Sequence, residues 1–322
     1  MAEVYCYGHV STGKVLLLKD HYPPPDGYAE VLETLENHAG EATGTALVLR
    51  QLGVSVALEG NWIGDNPECR RTLEFLQGRG IDCSGLRVVP GYVGATEIVV
   101  SDGASRTVFG RYIDLLFTTK QWDDPDPRQI AAARMVSLDS TFGESTLAAA
   151  RCAGASGKPI ATFDARHDSE LTARAAAVIV SGEFLRREYP AAAATNAERA
   201  GLFARYLASC SGLVVFTSGS QPVWWGLGRA AALAAGRPWF RGGARPGQRH
   251  ELAPFRVKVV DTAGAGDSFR AGVVYGMLQG WPVADCVRFA CATAALVCTR
   301  APGCVHPPTL PEIQALLAAG LP

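Results

Sequence analysis

The sequence predicts an α/β fold in which a mostly parallel central sheet is covered by helices on both faces. Short aliphatic runs alternate with helix-like segments through the middle of the chain, and such alternation builds parallel sheets. The 322 residues are 48% hydrophobic, which is ample for a large core. No internal repeat or low-complexity linker interrupts them, so we expect residues 1–322 to form one domain.

The composition argues against several classes of function. Charged residues make up 19% of the chain and the formal net charge is −1, so no electrostatic signal favours a nucleic-acid or membrane partner. No apolar run reaches the ~18 residues of a membrane-spanning helix. The nine cysteines include no C-x-x-C pair, and the N-terminus lacks a basic segment followed by an apolar stretch. We therefore expect reduced thiols and a cytoplasmic location.

The chain opens with a predicted strand at residues 4–7, followed by a look-alike of a phosphate-binding loop. Residues 8–14 fit the first seven positions of the pattern G-x-x-x-x-G-K-[S/T], but Val15 at the last position has no hydroxyl for a metal. The helix that must follow such a loop is also missing, because a short aliphatic run at 15–18 leads into three prolines. We interpret the match as coincidental.

Residues 28–113 contain the next predicted elements. Residues 28–35 are predicted as a short strand, and residues 37–46 lead into an apolar helix that Gly53 closes. A core strand is expected at 54–60, and Asn66-Pro67 introduces a helix over 68–79. The runs 95–101 and 106–112 predict a hairpin, because Asp102-Gly103 joins them.

From residue 135 onward, strands and helices take turns. We predict strands at 135–138, 160–164, 177–180 and 213–217, and helices at 145–155, 169–176, 196–209, 283–299 and 311–319. Trp224 and Trp225 are predicted to pack against the sheet as strand residues. The four cysteines between 286 and 304 are spaced too widely for a zinc site, so we expect buried structural thiols.

The stretch richest in chemistry is DTAGAGDSFRAG at residues 261–272. A strand-like run at 255–260 precedes it and a helix-like run at 268–278 follows it, which predicts a strand, a glycine-rich turn and a helix. Gly264 and Gly266 allow a ligand to approach the backbone closely, and the amides that open a helix favour an anion such as phosphate. Asp267 in the first helical turn can accept a proton from an attacking hydroxyl. Alternatively, Asp261 and Asp267 only cap a tight turn.

The segment from Asp261 to Asp267 closely resembles the C-terminal signature of the PfkB, or ribokinase-like, carbohydrate kinases. The overall layout, with a long N-terminal run and Ser181 in place of the usual asparagine, looks closest to the ketohexokinase-like and ribokinase-like branches. The resemblance implies a ribokinase-like three-layer sandwich and an ATP-dependent kinase. It implies that Asp267 is the catalytic base and that the amides of Gly264, Ala265 and Gly266 hold the transferring phosphoryl group, with Mg²⁺ bridging the phosphates. The nucleotide-binding residues that it implies are Thr217, Gly219, Asp261, Thr262 and Gly303.

Two of these assignments leave an alternative or a gap. Thr217-Ser218-Gly219 resembles the family's Thr-x-Gly element, but three residues also fit an ordinary exit from a strand. Ser181-Gly182-Glu183 lies where the family often has Asn-x-x-Glu, a motif that helps to organise Mg²⁺ through water. Glu183 is its only plausible carboxylate, so we assign no direct metal ligand.

The substrate side departs from the family. The chain has Gly13 where the family carries a sugar-binding aspartate, and after Gly40 it has Glu41 and Gly44 where the family carries two asparagines. Glu41 is alternatively a first-turn carboxylate that the helix dipole favours. Arg106 matches the family's arginine after the turn of the predicted hairpin, and that arginine tends to face the active site. The resemblance implies that about 14–36 and 93–113 form the lid, which can also mediate a homodimer.

The first functional hypothesis is a kinase that phosphorylates a hydroxymethyl group of a small sugar or sugar-like substrate. The alternatives are a nucleoside kinase of the same superfamily and a PfkB-like binding protein that has lost turnover, which the changes at Gly13, Glu41 and Gly44 favour. Because Gly13 and Gly44 should leave space, we expect poor activity on ribose, fructose and fructose 6-phosphate. The preferred substrate should be bulkier near Gly44 and offer a hydrogen-bond donor to Glu41.

Overall fold

Eight strands form the central sheet of the computed structural model, which describes residues 1–103, 105–113, 116, 118–229 and 244–320. In spatial order they are β14 (His250–Leu252), β13 (Val223–Leu227), β12 (Leu213–Phe216), β11 (Ala177–Val180), β10 (Ile160–Phe163), β9 (Met135–Asp139), β1 (Val4–Gly8) and β4 (Val56–Gly60). All neighbours are parallel except the two pairs that β13 makes. The predicted mostly parallel sheet is confirmed.

Helices cover both faces of this sheet. One face carries α1 (Glu41–Gln51), α2 (Pro67–Gly78), α9 (Ala265–Leu278), α10 (Val283–Val297) and α11 (Leu310–Ala318). The other carries α3 (Pro127–Ala132), α4 (Gly143–Ala155), α5 (Glu170–Arg174), α6 (Gly182–Glu188), α7 (Pro190–Ala194) and α8 (Asn196–Ser209). Separate apolar clusters fill the two interfaces, so the described chain has three layers. Its described helices include none that is long and apolar enough to cross a membrane.

A second sheet contains the N-terminal look-alike of a phosphate loop. Its four strands lie in the order β3 (Val31–Ala39), β2 (Ser11–Leu18), β7 (Thr96–Ser101) and β8 (Arg106–Arg111). Most of the look-alike is strand β2 rather than a loop, as its missing hydroxyl suggested. The predicted strand at 28–35 was placed too early, because the polar residues Asn37 and His38 are buried and continue β3. Residue 104, inside the predicted lid segment, lies outside the described residues.

The strand predicted at residues 255–260 is not formed. The alternating pattern resembles a half-buried strand, but Phe255 is the only residue of the run that is buried, and Val259 is exposed. The amides of Val260 and Asp261 instead donate to the carbonyl oxygen of Cys298, just after α10, at 2.8 and 3.3 Å. The glycine-rich turn is therefore held by the end of a helix, and α9 begins at Ala265, three residues earlier than predicted.

The parallel strands place their carboxyl ends at one edge of the sheet. The residues at or just after these ends are His9, Asp139, Asp164, Ser181 and Thr217. Trp224 and Trp225 lie buried in β13, as predicted. Ligands of open α/β sheets bind beyond the carboxyl ends of the strands, so this edge is where a site is expected.

Candidate active site

Gly264 shapes the turn that leads into α9. Its φ is 75°, in the left-handed region, and a Cβ atom there would lie 2.2 Å from Sγ of Cys304. Each constraint strains any larger residue at this position. The amide of Ala265 donates across the turn to the carbonyl oxygen of Thr262 at 3.4 Å. The next two amides, of Gly266 and Asp267, lie in the first turn of the helix. They have no partner within the helix and form part of the positive end of its dipole.

Gly266 is a glycine for a different reason from Gly264. Its φ is not positive, but a Cβ atom would lie 2.7 Å from Cζ of Phe163 at the end of β10. The missing side chain therefore lets the start of α9 approach the sheet. Because Phe163 is a ring in the core and not a flexible chain end, a larger residue at position 266 has to displace the helix or the ring.

Asp267 lies in the first turn of α9, with 15% of its side chain exposed. Burial raises the pKa of its carboxyl group to about 8. The guanidinium groups of Arg270 and Arg106 oppose this shift, whereas the charges of Asp139 and Glu97 add to it. A general base works best when its pKa lies near the operating pH. A carboxyl group with its ordinary, lower pKa is a weaker base than one whose pKa burial has raised.

A fully buried ion pair lies beneath Asp267. Arg270 donates to Oδ1 of Asp139 at 2.5 Å, and its Nη2 lies 3.9 Å from Oδ1 of Asp267. The same guanidinium donates to the hydroxyl of Thr45 at 2.9 Å and to the carbonyl oxygen of Glu41 at 2.6 Å. Arg270 thus connects α9, α1 and the end of β9 at the point where Asp267 is held.

The start of α1 forms the wall opposite Asp267. Gly40 has a φ of 103°, and a Cβ atom there would lie 2.2 Å from the carbonyl oxygen of His9. Burial, reinforced by the charges of Asp139 and Asp267, raises the pKa of Glu41 well above its ordinary value. A Cβ atom on Gly44 would lie 2.9 Å from Cβ and Oδ2 of Asp267. The predicted space at Gly44 is therefore absent, because Asp267 fills it.

The space predicted at Gly13 is also filled. A Cβ atom there would lie 2.1 Å from the carbonyl oxygen of Glu97, on the neighbouring strand β7. The lid sheet reaches the glycine-rich turn through Arg106, which donates to the carbonyl oxygen of Thr262 at 2.5 Å. Ser101 adds a contact of 3.4 Å to the carbonyl oxygen of Val260. Arg106 therefore lies at the glycine-rich turn.

The remaining predicted residues lie around the same edge. Thr217 follows β12 and donates its amide to the carbonyl oxygen of Val180 at 2.9 Å, while Gly219 has a positive φ of 55°. A Cβ atom on Gly303 would lie 3.1 Å from the carbonyl oxygen of Ala263, so this glycine packs against the turn. Oδ1 of Asp261 accepts from the amide of Ala263 at 2.9 Å, and its buried Oδ2 has no hydrogen-bond partner in the described part of the chain.

Carboxylates near this edge fit a hydrated cation better than a closed metal cage. Among the described residues, no three or more His, Cys, Asp or Glu side chains form a metal-binding group. The side chain of Glu183 is 68% exposed and lies 3.8 Å from Arg106. Asp164 is committed to Ser181, accepting from its amide at 2.7 Å and its hydroxyl at 2.8 Å. Mg²⁺ usually keeps several waters and binds one or two carboxylates plus substrate phosphates, which suits an exposed Glu183.

Reasoning from the sequence missed four side chains of this region. They are Asn37, Glu97, Asp139 and Arg270. The spacing of Asp267 and Arg270, three residues apart on one helix, signals that they share a face. Asn37, Glu97 and Asp139 carry no comparable local signal, because strand pairing and the packing of α9 on the sheet bring them to this region.

Comparison with known proteins agrees with this fold. The family profile described as pfkB family carbohydrate kinase matches residues 1–310. The ATP-dependent ribose-1-phosphate kinase of Halopiger xanaduensis is 27% identical over 328 residues, covering 99% of each chain. A candidate ribokinase from Agrobacterium tumefaciens superposes with a TM-score of 0.79 and 25% identity, over 99% of this chain and 98% of that one. The ribokinase of Arabidopsis thaliana complexed with ribose and ATP has the same fold, with a TM-score of 0.71 and 17% identity over 98% of each chain.

Proposed function

Because this chain belongs to the pfkB family of carbohydrate kinases, we propose that it transfers the γ-phosphoryl group of ATP to a hydroxymethyl group of a small sugar or sugar-like acceptor. The observation that carries the proposal is the carboxyl group of Asp267. It is buried in the first turn of α9, directly after the left-handed Gly264, with its pKa raised to about 8. A base and an anion-binding helix terminus are thus only a few atoms apart, which phosphoryl transfer to a hydroxyl requires.

In this proposal the acceptor hydroxyl lies against Asp267, which orients it and takes its proton. The amides at Gly264, Ala265, Gly266 and Asp267 stabilise the charge that develops on the transferring phosphoryl group. No covalent intermediate is needed, because catalysis consists of positioning and charge stabilisation. Arg270 holds Asp267 from below and Gly44 leaves it room.

The nucleotide would lie along the carboxyl edge between β12 and the turn. Thr217 and Gly219 would contact it from one side, Asp261 and Thr262 from the turn, and Gly303 from the loop after α10. Glu183 would hold Mg²⁺ through water, and the ion when bound would neutralise charge on the β- and γ-phosphates. The exposed Glu183 carboxylate supports this assignment.

The lid sheet would cover the acceptor. Gly40 and Glu41 would line its inner wall, with Gly13 on the lid strand β2 and Arg106 at the contact between lid and turn. The four-stranded sheet exposes Leu32, Ile98 and Phe109, with 65%, 45% and 53% of their surface accessible. A homodimer formed through this sheet would bury them. The proposal also includes a single domain whose lid is formed by segments of about 14–36 and 93–113. We further propose that the protein is cytoplasmic.

The test is acceptor-dependent release of ADP with detection of the phosphorylated product by mass spectrometry. The acceptors are pentoses, pentose 1-phosphates, ketohexoses, sugar acids, amino sugars and nucleosides, and Asp267→Asn is the negative control. A phosphorylated sugar that requires both the acceptor and Asp267 supports the proposal. Phosphorylation of nucleosides alone would contradict a sugar acceptor and support the nucleoside kinase hypothesis instead. Absence of any phosphorylated product would contradict the proposed kinase function.

A further inference from the structure

A row of three residues crosses the lid sheet at the point where it faces the glycine-rich turn. Gly13 on β2 is in register with Asn37 on β3 and with Glu97 on β7. Directly opposed residues of neighbouring strands project from the same face of a sheet. The side chains of Asn37 and Glu97 therefore lie on one face, separated by a residue that has no side chain.

Gly13 allows the two outer side chains to meet. A Cβ atom at position 13 would lie 2.1 Å from the carbonyl oxygen of Glu97 and 3.0 Å from its Cγ. Across this gap, Nδ2 of Asn37 donates to Oε1 of Glu97 at 3.1 Å. Asn37 is only 7% exposed, so the amide that holds the carboxylate is itself fixed in the interior.

The face that carries this pair is directed toward the site. Ser101, four residues after Glu97 and therefore on the same face of β7, donates to the carbonyl oxygen of Val260 beside the turn at 3.4 Å. In agreement with this placement, the charge of Glu97 adds to the burial that raises the pKa of Asp267. Burial also raises the pKa of Glu97, and Arg106, which binds the turn, opposes that shift.

A carboxylate can accept about four hydrogen bonds; Asn37 uses one of these positions, and the nearby hydroxyl of Ser11 on β2 also lowers the pKa of Glu97, which leaves about two positions for a ligand. Desolvating such a group is costly unless its remaining lone pairs find donors. A sugar with neighbouring hydroxyls supplies such donors.

We propose that Glu97, held by Asn37 across Gly13, binds a pair of neighbouring hydroxyl groups on the acceptor, at the end remote from the phosphorylated hydroxymethyl. The inference rests on the proposed kinase function and adds the substrate class to it. The acceptor is a polyol or sugar with a free vicinal diol facing the lid, and an anionic group at that position is excluded by the charge of Glu97.

The test compares Glu97→Gln with Glu36→Gln, a matched change on β3. Glu36 is exposed and pairs with Arg71 at 2.8 Å, and as the neighbour of Asn37 it projects from the opposite face. KM and kcat are measured for ATP and for each accepted sugar, together with its deoxy analogues. Loss of charge-assisted hydrogen bonds should raise the KM of the acceptor in Glu97→Gln by roughly 10- to 100-fold, with the KM for ATP within about twofold.

The deoxy analogues separate a binding role from a structural one. The wild type should bind an analogue that lacks one hydroxyl of the diol more weakly than it binds the complete sugar. In Glu97→Gln this difference in affinity should be much smaller, because the contact with the carboxylate is already gone. The inference is overturned, while the kinase function stands, if Glu97→Gln has the same acceptor KM as Glu36→Gln. It is also overturned if every analogue loses the same amount of affinity in the wild type and in Glu97→Gln.

Calorimetric binding of the same sugars to the wild type and to Glu97→Gln distinguishes failure of the inference from failure of the proposed function. Binding that requires Glu97, without any turnover, would refute the kinase and support the diol site. A wild type that neither binds nor phosphorylates any sugar of the panel would overturn both.

Discussion

Replacing Asp267 by asparagine should stabilise the protein and inactivate it at the same time. The pKa of this carboxyl group is about 8 in the folded chain against an ordinary value of 3.8. Between these pH values the folded protein keeps a proton that the unfolded chain has released, so its free energy of unfolding falls as pH rises through this window. Asparagine has the same size and cannot ionise, so it escapes this loss.

The size of the effect follows from the same pKa difference. Roughly four pKa units at ~1.4 kcal/mol each give a ceiling of ~6 kcal/mol at pH 8 and above. Relaxation of the surroundings reduces it, so we expect a gain of about 2–6 kcal/mol at pH 8.5 that shrinks to near zero at pH 4. The measurement is urea unfolding of both proteins without nucleotide at several pH values. Subtracting the free energies of unfolding of the two proteins at the same pH cancels, to first order, the contribution of all other titrating groups.

The matched control is Asp168→Asn. Asp168 is an exposed aspartate whose pKa is lowered by a hydrogen bond from Arg166, so its replacement should bring no gain at alkaline pH. Turnover of Asp267→Asn should fall by roughly 10²–10⁴, the usual loss for a general base. In the wild type, kcat/KM should rise with pH to a plateau above about pH 8. A variant that is less stable than wild type at pH 8.5, or that turns over normally, would refute the reasoning.

Three further substitutions test the surroundings of Asp267. Gly44→Ala places a Cβ atom 2.9 Å from Asp267 and should lower kcat at least about tenfold by displacing the base, whereas Gly78→Ala, a helix glycine with open space, should leave steady-state rates unchanged. Arg270→Met leaves the buried Asp139 unpaired and should cost ~3–5 kcal/mol in urea unfolding, and an equally stable variant would contradict the role of the pair. Arg106→Ala removes the contact with Thr262 and should raise the KM for ATP by about tenfold, with thermal stability retained.

The central sheet could be predicted because its evidence is local. Aliphatic runs such as 177–180 and 213–216 are buried on both faces and bounded by turn residues, so composition alone identifies them. The run at 255–260 alternates apolar and charged residues, a different local signature that also predicts a strand, but it forms none because a strand also needs a neighbour. The amide of Val260 donates instead to the carbonyl oxygen of Cys298 at the end of α10, a partner that no local pattern indicates.

The glycine-rich turn and the position of Asp267 could be predicted for a related reason. The conformation of Gly264 and the place of Asp267 in the first helical turn are set by backbone geometry, which is a property of a few consecutive residues. Arg270 could have been added from its position on the same helix face. Its partner Asp139 could not, because the two are joined only when β9 and α9 pack together.

The acceptor side shows why a missing residue does not mean a missing function. Position 13 holds glycine where related kinases carry an acid, and this suggests an empty, weakened pocket. In the folded sheet the same glycine is what lets Glu97 lie across β2 and meet Asn37, so a carboxylate is present but comes from the adjacent strand. Register between strands 84 residues apart decides this, and a shift of one residue would turn Glu97 to the other face. Under the proposed role of Glu97, substrate specificity depends on the pairing of β2 with β7, and comparing residues at position 13 alone would miss it.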